Sequence, residues 1–292
     1  MYELIQMTEH DYYIDCPAKI GLVLVSGEEA VLIDSGSDKD AGKKAWRILE
    51  GKGWRLRAVF NTHSHADHIG GNRFLQERSG CPVYARGLEA VYASNPILEP
   101  VGLYGGLPFR ELRGKFLMAQ ESRVQPLTPE VLPEGMRLLD LPGHCFEMTG
   151  VLTADGTAYI ADSVSSEETL EKYGIGYLWD PEAAAKTLEA LPEIGAKRYV
   201  PAHAPVTEDI RPLAERNLAG LRALKAAILE ECAAPTAFEA LLKRLFDRYG
   251  MTMNAQQYVL IGSTVRSCLT CLAGRGELSY EFRAGEMLWR AN

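Results

Sequence analysis

The string Asn61-Thr62-His63-Ser64-His65-Ala66-Asp67-His68-Ile69-Gly70-Gly71-Asn72 constrains this chain more than any other stretch. It packs three of only six histidines, with an aspartate, into six residues. A strand-like run, Arg57 to Asn61, leads into it, and Asp67 to Arg78 has helical spacing. On extended backbone, side chains two apart share a side, so His63 and His65 point together. Asp67 and His68 turn away on the first helical turn. Such an arrangement directs ligands at two neighbouring points, which lie about 3.5–4 Å apart in two-metal sites.

Other metal-competent residues fall at the same kind of place. His144 stands in Leu141-Pro142-Gly143-His144, just after a strand-like segment. Asp162 ends the run Ala158-Tyr159-Ile160-Ala161, and His203 follows Arg198 to Val200. Open sheets build ligand sites beyond the ends of their strands. Borderline cations such as zinc take imidazole and carboxylate together, and one carboxylate can bridge two ions. His10 has no companion and reads as a surface residue.

The surrounding sequence is that of a soluble α/β protein. Lys plus Arg total 31 and Asp plus Glu 39, a net charge of −8, which disfavours sequence-independent nucleic-acid binding because that needs a cationic field. Strands at Ile20 to Val25, Ala30 to Asp34, Pro82 to Ala85, Met136 to Leu141, Gly150 to Thr153 and Thr157 to Ala161 alternate with helices at Lys39 to Glu50 and Pro181 to Leu191. Between Ala93 and Pro133 the pattern breaks into a Pro- and Gly-rich insert, either a functional lid or a surface excursion. Tyr104 and Phe109 are its candidate substrate-facing groups. After residue 210 the character changes: helices at Ile210 to Cys232, Thr236 to Tyr249 and Asn254 to Leu272, then two strands around Ala284-Gly285. We therefore expect a catalytic domain over 1–210 and a small helical, winged-helix-like domain over 211–292. The latter would serve packing or homodimerisation, since Arg266 is the only basic residue on the helix that would read nucleic acid. The N-terminus shows no signal peptide and the apolar runs are too short to span a bilayer, so a cytoplasmic protein is expected. The six cysteines then read as thiols, and Cys268-x-x-Cys271 as core packing, because a structural zinc would need a second pair.

The THSHADH string with the later GH, AD and AH elements resembles the metallo-β-lactamase-fold hydrolases over roughly residues 1–210. The resemblance implies a four-layer αβ/βα sandwich with a dinuclear site between the sheets. It implies that His63, His65 and His144 bind one divalent metal and that Asp67, His68 and His203 bind the other, with Asp162 bridging. Zinc is the first choice, with iron or manganese also suited to these ligands. Asp34, in Leu32-Ile33-Asp34-Ser35-Gly36, matches the aspartate behind the site that orients ligands.

The second-site ligands resemble those of glyoxalase-II-type thioesterases, lactonases and metal-dependent nucleases. The family's common β-lactam-cleaving enzymes have Cys at the position of Asp162 or lack a bridging Asp. The implied function is a dinuclear hydrolase that uses a metal-bridged hydroxide on a small ester, thioester or lactone. The alternative is a phosphodiesterase or endoribonuclease. A diiron oxidoreductase fits less well, since that version places Glu where His65 stands and adds a flavin domain. Asp67 would relay a proton, and Tyr173 or Tyr177 would donate a hydrogen bond to the developing oxyanion. Two departures from the family pattern are Cys145 after His144, where Ser or Thr is frequent, and Ala161 before Asp162, where Gly is frequent.

Overall fold

The computed structural model describes residues 2–292. Two sheets face each other. The larger runs in the order β1 (Glu3–Gln6), β2 (Asp11–Asp15), β3 (Ile20–Ser26), β4 (Glu29–Ile33), β5 (Arg55–Phe60), β6 (Val83–Ala85), β7 (Val124–Pro126), antiparallel through β4 and parallel from β4 onward. The smaller has β8 (Arg137–Asp140), β9 (Thr149–Leu152), β10 (Thr157–Ala161) and β11 (Arg198–Pro201), in the order β11-β10-β9-β8, with β10 and β11 parallel.

Period-two alternation decides what each strand buries. Leu22, Ala30 and Leu32 face one side of the larger sheet and pack with Ala45 and Leu49 of α1 (Lys39–Lys52). Val23, Val31, Ile33 and Phe60 face the other and meet Val151, Tyr159 and Val200 of the smaller sheet. The far face of the smaller sheet, through Leu139, Ala158 and Ile160, packs on Leu188 and Ala214 of two further helices. Three apolar layers thus separate four structural layers, as expected. α1 starts where Asp38 accepts hydrogen bonds from the Asp40 and Ala41 N–H groups, satisfying donors that the first turn leaves open.

Chain order adds α2 (Ala66–Ile69), α3 (Asn72–Ser79), α4 (Gly87–Ser94), α5 (Leu98–Tyr104), α6 (Glu167–Tyr173), α7 (Pro181–Ala190), α8 (Arg211–Glu231), α9 (Phe238–Arg248) and α10 (Ala255–Gly274). The last three helices share an apolar core of Leu224, Ile228, Leu242, Leu245, Val265 and Leu269. Strands β13 (Leu278–Arg283) and β14 (Glu286–Ala291) form a hairpin, and the two-residue β12 (Thr236–Ala237) pairs with β14. The Arg266 guanidinium lies 3.8 Å over the Phe238 ring, so the one cation of α10 is engaged within the chain.

Three expectations need correcting. The helix expected over Asp67 to Arg78 is two helices, because Gly70 and Gly71 break it. A Cβ on Gly70 would collide with the Ser37 backbone, and one on Gly71 with the Ser35 carbonyl oxygen, so the chain turns where only glycine fits. The insert is not irregular throughout, since it holds α5 and contributes β7 to the larger sheet. Within it, Tyr104 and Phe109 are 45% and 40% exposed and stack edge-to-face on each other at 5.3 Å. His10 also has a companion, Asp155, at 3.2 Å. All six cysteines are free, and among the described residues no helix is long and apolar enough to cross a membrane.

Candidate metal centre

Both sheets deliver side chains to one end of their shared interface. Asp34 follows β4, the His63–His68 string follows β5, Asp162 follows β10 and His203 follows β11, while His144 comes from the β8–β9 connection. His63 Nε2 lies 3.1 Å from His65 Nδ1, which lies 3.0 Å from His144 Nε2. In a second cluster, His203 Nε2 is 3.1 Å from Asp67 Oδ2 and 3.4 Å from Asp162 Oδ2. His68 Nε2 is 3.2 Å from Asp162 Oδ1, and His144 Nε2 is 3.5 Å from Asp162 Oδ2. Ligand atoms of His63, His65 and His144 all lie within 4.8 Å of one another, as do those of His63, His68 and Asp162, and those of Asp67, His68 and His203. The seven side chains singled out in the sequence are therefore together, with Asp162 between the clusters.

The remote ring nitrogens are tied down in a way that frees the inner ones. The His68 Nδ1–H donates to Asp34 Oδ2 at 2.8 Å, that of His203 to the Pro17 carbonyl at 2.8 Å, and that of His144 to the Tyr177 carbonyl at 3.2 Å. The Thr62 hydroxyl gives its proton to Asp34 Oδ2, so its oxygen accepts from His63 Nδ1 at 3.0 Å. Each of these four rings then presents Nε2 inward. Two buried inner atoms, His68 Nε2 and Asp162 Oδ1, have no hydrogen-bond partner. Convergent ring nitrogens and carboxylate oxygens, two of them buried 3.2 Å apart without an aligned hydrogen bond, fit a cation and are costly without one.

Electrostatics divides the clusters. Burial pushes His65 and His144 down to about 4 and drives His63 lower than usual as well, so these three imidazoles are neutral. Around His68, burial opposes the charge, but Asp162, Asp67 and Asp34 outweigh it and hold the ring well above its usual value. Asp162 raises His203 to about 10. The Asp67 and Asp162 carboxyls are held low by His68 and His203 in spite of burial. Cations here would displace protons from the second cluster and meet ready lone pairs in the first.

The backbone is shaped to the same end. Asp34 and Ala161, both beside ligands, sit at φ +66° and +47°. The Ala161 position is thus a left-handed one, where a glycine would relieve strain of roughly 1–2 kcal/mol. Gly143 has φ +123°, and a Cβ there would collide with the Ala184 backbone.

Of the two candidate tyrosines, Tyr177 lies against the first cluster, its ring centroid 5.2 Å from His65 and 5.6 Å from His144. Tyr173 closes α6, is 43% exposed, and lines a cavity beside the cluster together with Tyr177. Two glutamates in or before the insert went unread in the sequence. Fully buried Glu89 accepts from the Ser64 N–H and hydroxyl at 3.0 and 2.6 Å and from the Glu147 N–H at 3.1 Å, tying the His63–His65 loop to the segment after His144. Glu99, on α5, places Oε1 4.0 Å from His65 Nε2, and burial pushes its carboxyl well above the usual range. A Ser flanked by two metal-competent histidines was the available signal for Glu89, because its N–H needs a partner once the loop is buried.

A family model described as the metallo-beta-lactamase superfamily matches residues 15–203. A hydroxyacylglutathione hydrolase of Methylococcus capsulatus is 54% identical over 35 residues, 12% of this chain and 14% of that protein. One from Thiobacillus denitrificans is 30% identical over 146 residues, 49% of this chain and 45% of its own length. The chain therefore spans less than half of either relative. A beta-lactamase domain protein from Burkholderia ambifaria has a similar structure, with a TM-score of 0.70 at 18% identity over 99% of this chain and 94% of that one, a likeness of fold.

Proposed function

The chain belongs to the metallo-beta-lactamase superfamily of metal-dependent hydrolases, and from that premise we propose that it hydrolyses a small ester, thioester or lactone with two divalent cations, zinc foremost, in the paired clusters. What carries the reading is the convergence of seven ligand side chains around the buried atoms His68 Nε2 and Asp162 Oδ1, which make no hydrogen bond. The hydrolase names of the two relatives support the carboxylic class of substrate.

Two divalent ions, when bound, supply Lewis acidity and water activated near neutral pH. Every other task falls to the chain. His63, His65 and His144 would hold one ion and Asp67, His68 and His203 the other, with Asp162 between them. Asp67, whose side chain is 42% exposed, lies at the solvent side of the second cluster, where it can take a proton and return it to the leaving group. Burial raises the Tyr177 hydroxyl well above its usual range, so it stays protonated and suited to donate to an oxyanion. Tyr173 is the second candidate for that role. We place the enzyme in a reducing compartment such as the cytoplasm, which the six free thiols support.

The test is a substrate panel for metal-loaded protein: thioesters, lactones and bis(p-nitrophenyl) phosphate. Turnover of the carboxylic substrates is expected. Turnover of the phosphodiester alone would overturn the reading in favour of a nuclease.

A further inference from the structure

A cavity of about 290 Å³ opens onto the metal cradle, with His144, Asp162 and His203 at one end. Its remaining walls come from α6 and the loop after it, from α7, and from α8 and α10 of the C-terminal part. Leu170, Ile175, Leu178, Leu188, Leu221 and Leu224 are among its apolar lining. No lysine or arginine lines it.

Three polar side chains in the wall away from the metal cradle are already engaged with the protein. The Asn217 amide accepts from the Ser165 N–H at 2.9 Å and donates to the Ser165 and Leu213 carbonyls, each at 2.9 Å. The Thr264 hydroxyl donates to the Gly176 carbonyl at 3.1 Å and accepts from the Leu178 N–H at 2.9 Å. The Ser163 hydroxyl donates to the Ile160 carbonyl at 2.7 Å. A charged group placed against the walls away from His203 would lose water and find no cationic side chain, whereas an alkyl chain gains by burial.

Building on the proposed hydrolysis of an ester, thioester or lactone, we infer that this cavity is the acyl site and that it selects an uncharged, mainly aliphatic acyl group. At about 30 Å³ per water-sized group, it holds on the order of ten non-hydrogen atoms. The C-terminal helices thereby set substrate choice, because Leu221, Leu224 and Thr264 all lie on them.

Metal-loaded full-length protein is assayed on N-acetylcysteamine thioesters carrying acetyl, butyryl, hexanoyl, octanoyl, decanoyl and dodecanoyl groups, with succinyl and adipoyl analogues for charge. The expected kcat/KM rises by about fourfold per methylene, the equivalent of about 0.8 kcal/mol per buried CH₂, and turns over at octanoyl or decanoyl. Adipoyl falls at least about tenfold below hexanoyl, since its carboxylate is unpaired in the cavity. Leu224→Trp moves the optimum to shorter chains and Leu224→Ala to longer ones. Octanamide raises the thermal midpoint of the wild-type protein and adipamic acid does not, a readout independent of turnover. Hydrolysis that ignores chain length, or that favours the charged acyl groups, overturns the acyl site and leaves the hydrolase intact. Folded, metal-loaded protein that turns over no ester, thioester or lactone removes the hydrolase reading, and the acyl assignment falls with it.

Discussion

Asp34→Asn separates the fold from the metal centre. Asp34 Oδ2 accepts from His68 Nδ1–H and from the Thr62 hydroxyl, each at 2.8 Å, and Oδ1 accepts from the Thr62 N–H at 2.8 Å. All of these groups are buried. Truncation to Ala would strand three donors at about 1–3 kcal/mol each, an appreciable share of the roughly 5–15 kcal/mol that holds a domain folded. Asparagine keeps the volume and one acceptor but turns an NH₂ toward Thr62 or His68. If the Thr62 N–H keeps the amide oxygen, the NH₂ faces His68 Nδ1 and the ring proton moves to Nε2. The inward lone pair is then lost. We predict an Asp34→Asn protein that folds, with affinity at the second cluster reduced by about 10–100-fold and binding at His63, His65 and His144 less affected. Isothermal titration of metal-free protein with Zn²⁺ resolves the two events. Two wild-type affinities in Asp34→Asn would refute the tautomer argument.

Further outcomes follow from the same geometry. In metal-free protein, His65 and His144 sit at about 4 while an unfolded histidine titrates near 6.5, so stability is lost as pH falls from about 6.5 toward 4. His203, raised to about 10, contributes fully below about 6.5 and ceases to contribute as pH rises through 10. Urea unfolding in chelator should therefore peak near pH ~6.5 and decline on both sides; a flat profile would contradict this. His65→Ala should abolish hydrolysis with the circular dichroism spectrum retained, and a fully active variant refutes the site assignment. Gly70→Ala forces a Cβ into the Ser37 backbone and should destabilise by about 3 kcal/mol; an unchanged melting temperature would show that the turn is not close-packed.

The metal cluster was readable because strand ends gather it. His63, His65, Asp67 and His68 fall within six residues, and Asp162 and His203 each follow a short run that reads as a strand. What escaped reading depends on contacts between distant segments. β7 is three residues, Val124-Gln125-Pro126, with no alternation to detect, and becomes a strand only because β6 offers it an edge. The break between α2 and α3 follows from a close approach to residues 35–37, and local helical spacing carries no sign of it. Glu89 and Glu99 look like ordinary solvated charges on short helices until the fold buries them beside Ser64 and His65. The cavity is likewise shared by segments from Ser163 to Thr264, which only packing brings together.

Anomalous diffraction at the zinc, iron and manganese edges, from crystals of protein purified without chelator, measures the central proposition directly. Two peaks per chain are predicted. One would be bonded by His63 Nε2, His65 Nδ1 and His144 Nε2, and the other by Asp67, His68 Nε2 and His203 Nε2, with Asp162 touching both. Density for any metal bound away from these atoms, with the seven side chains turned apart, would contradict the account.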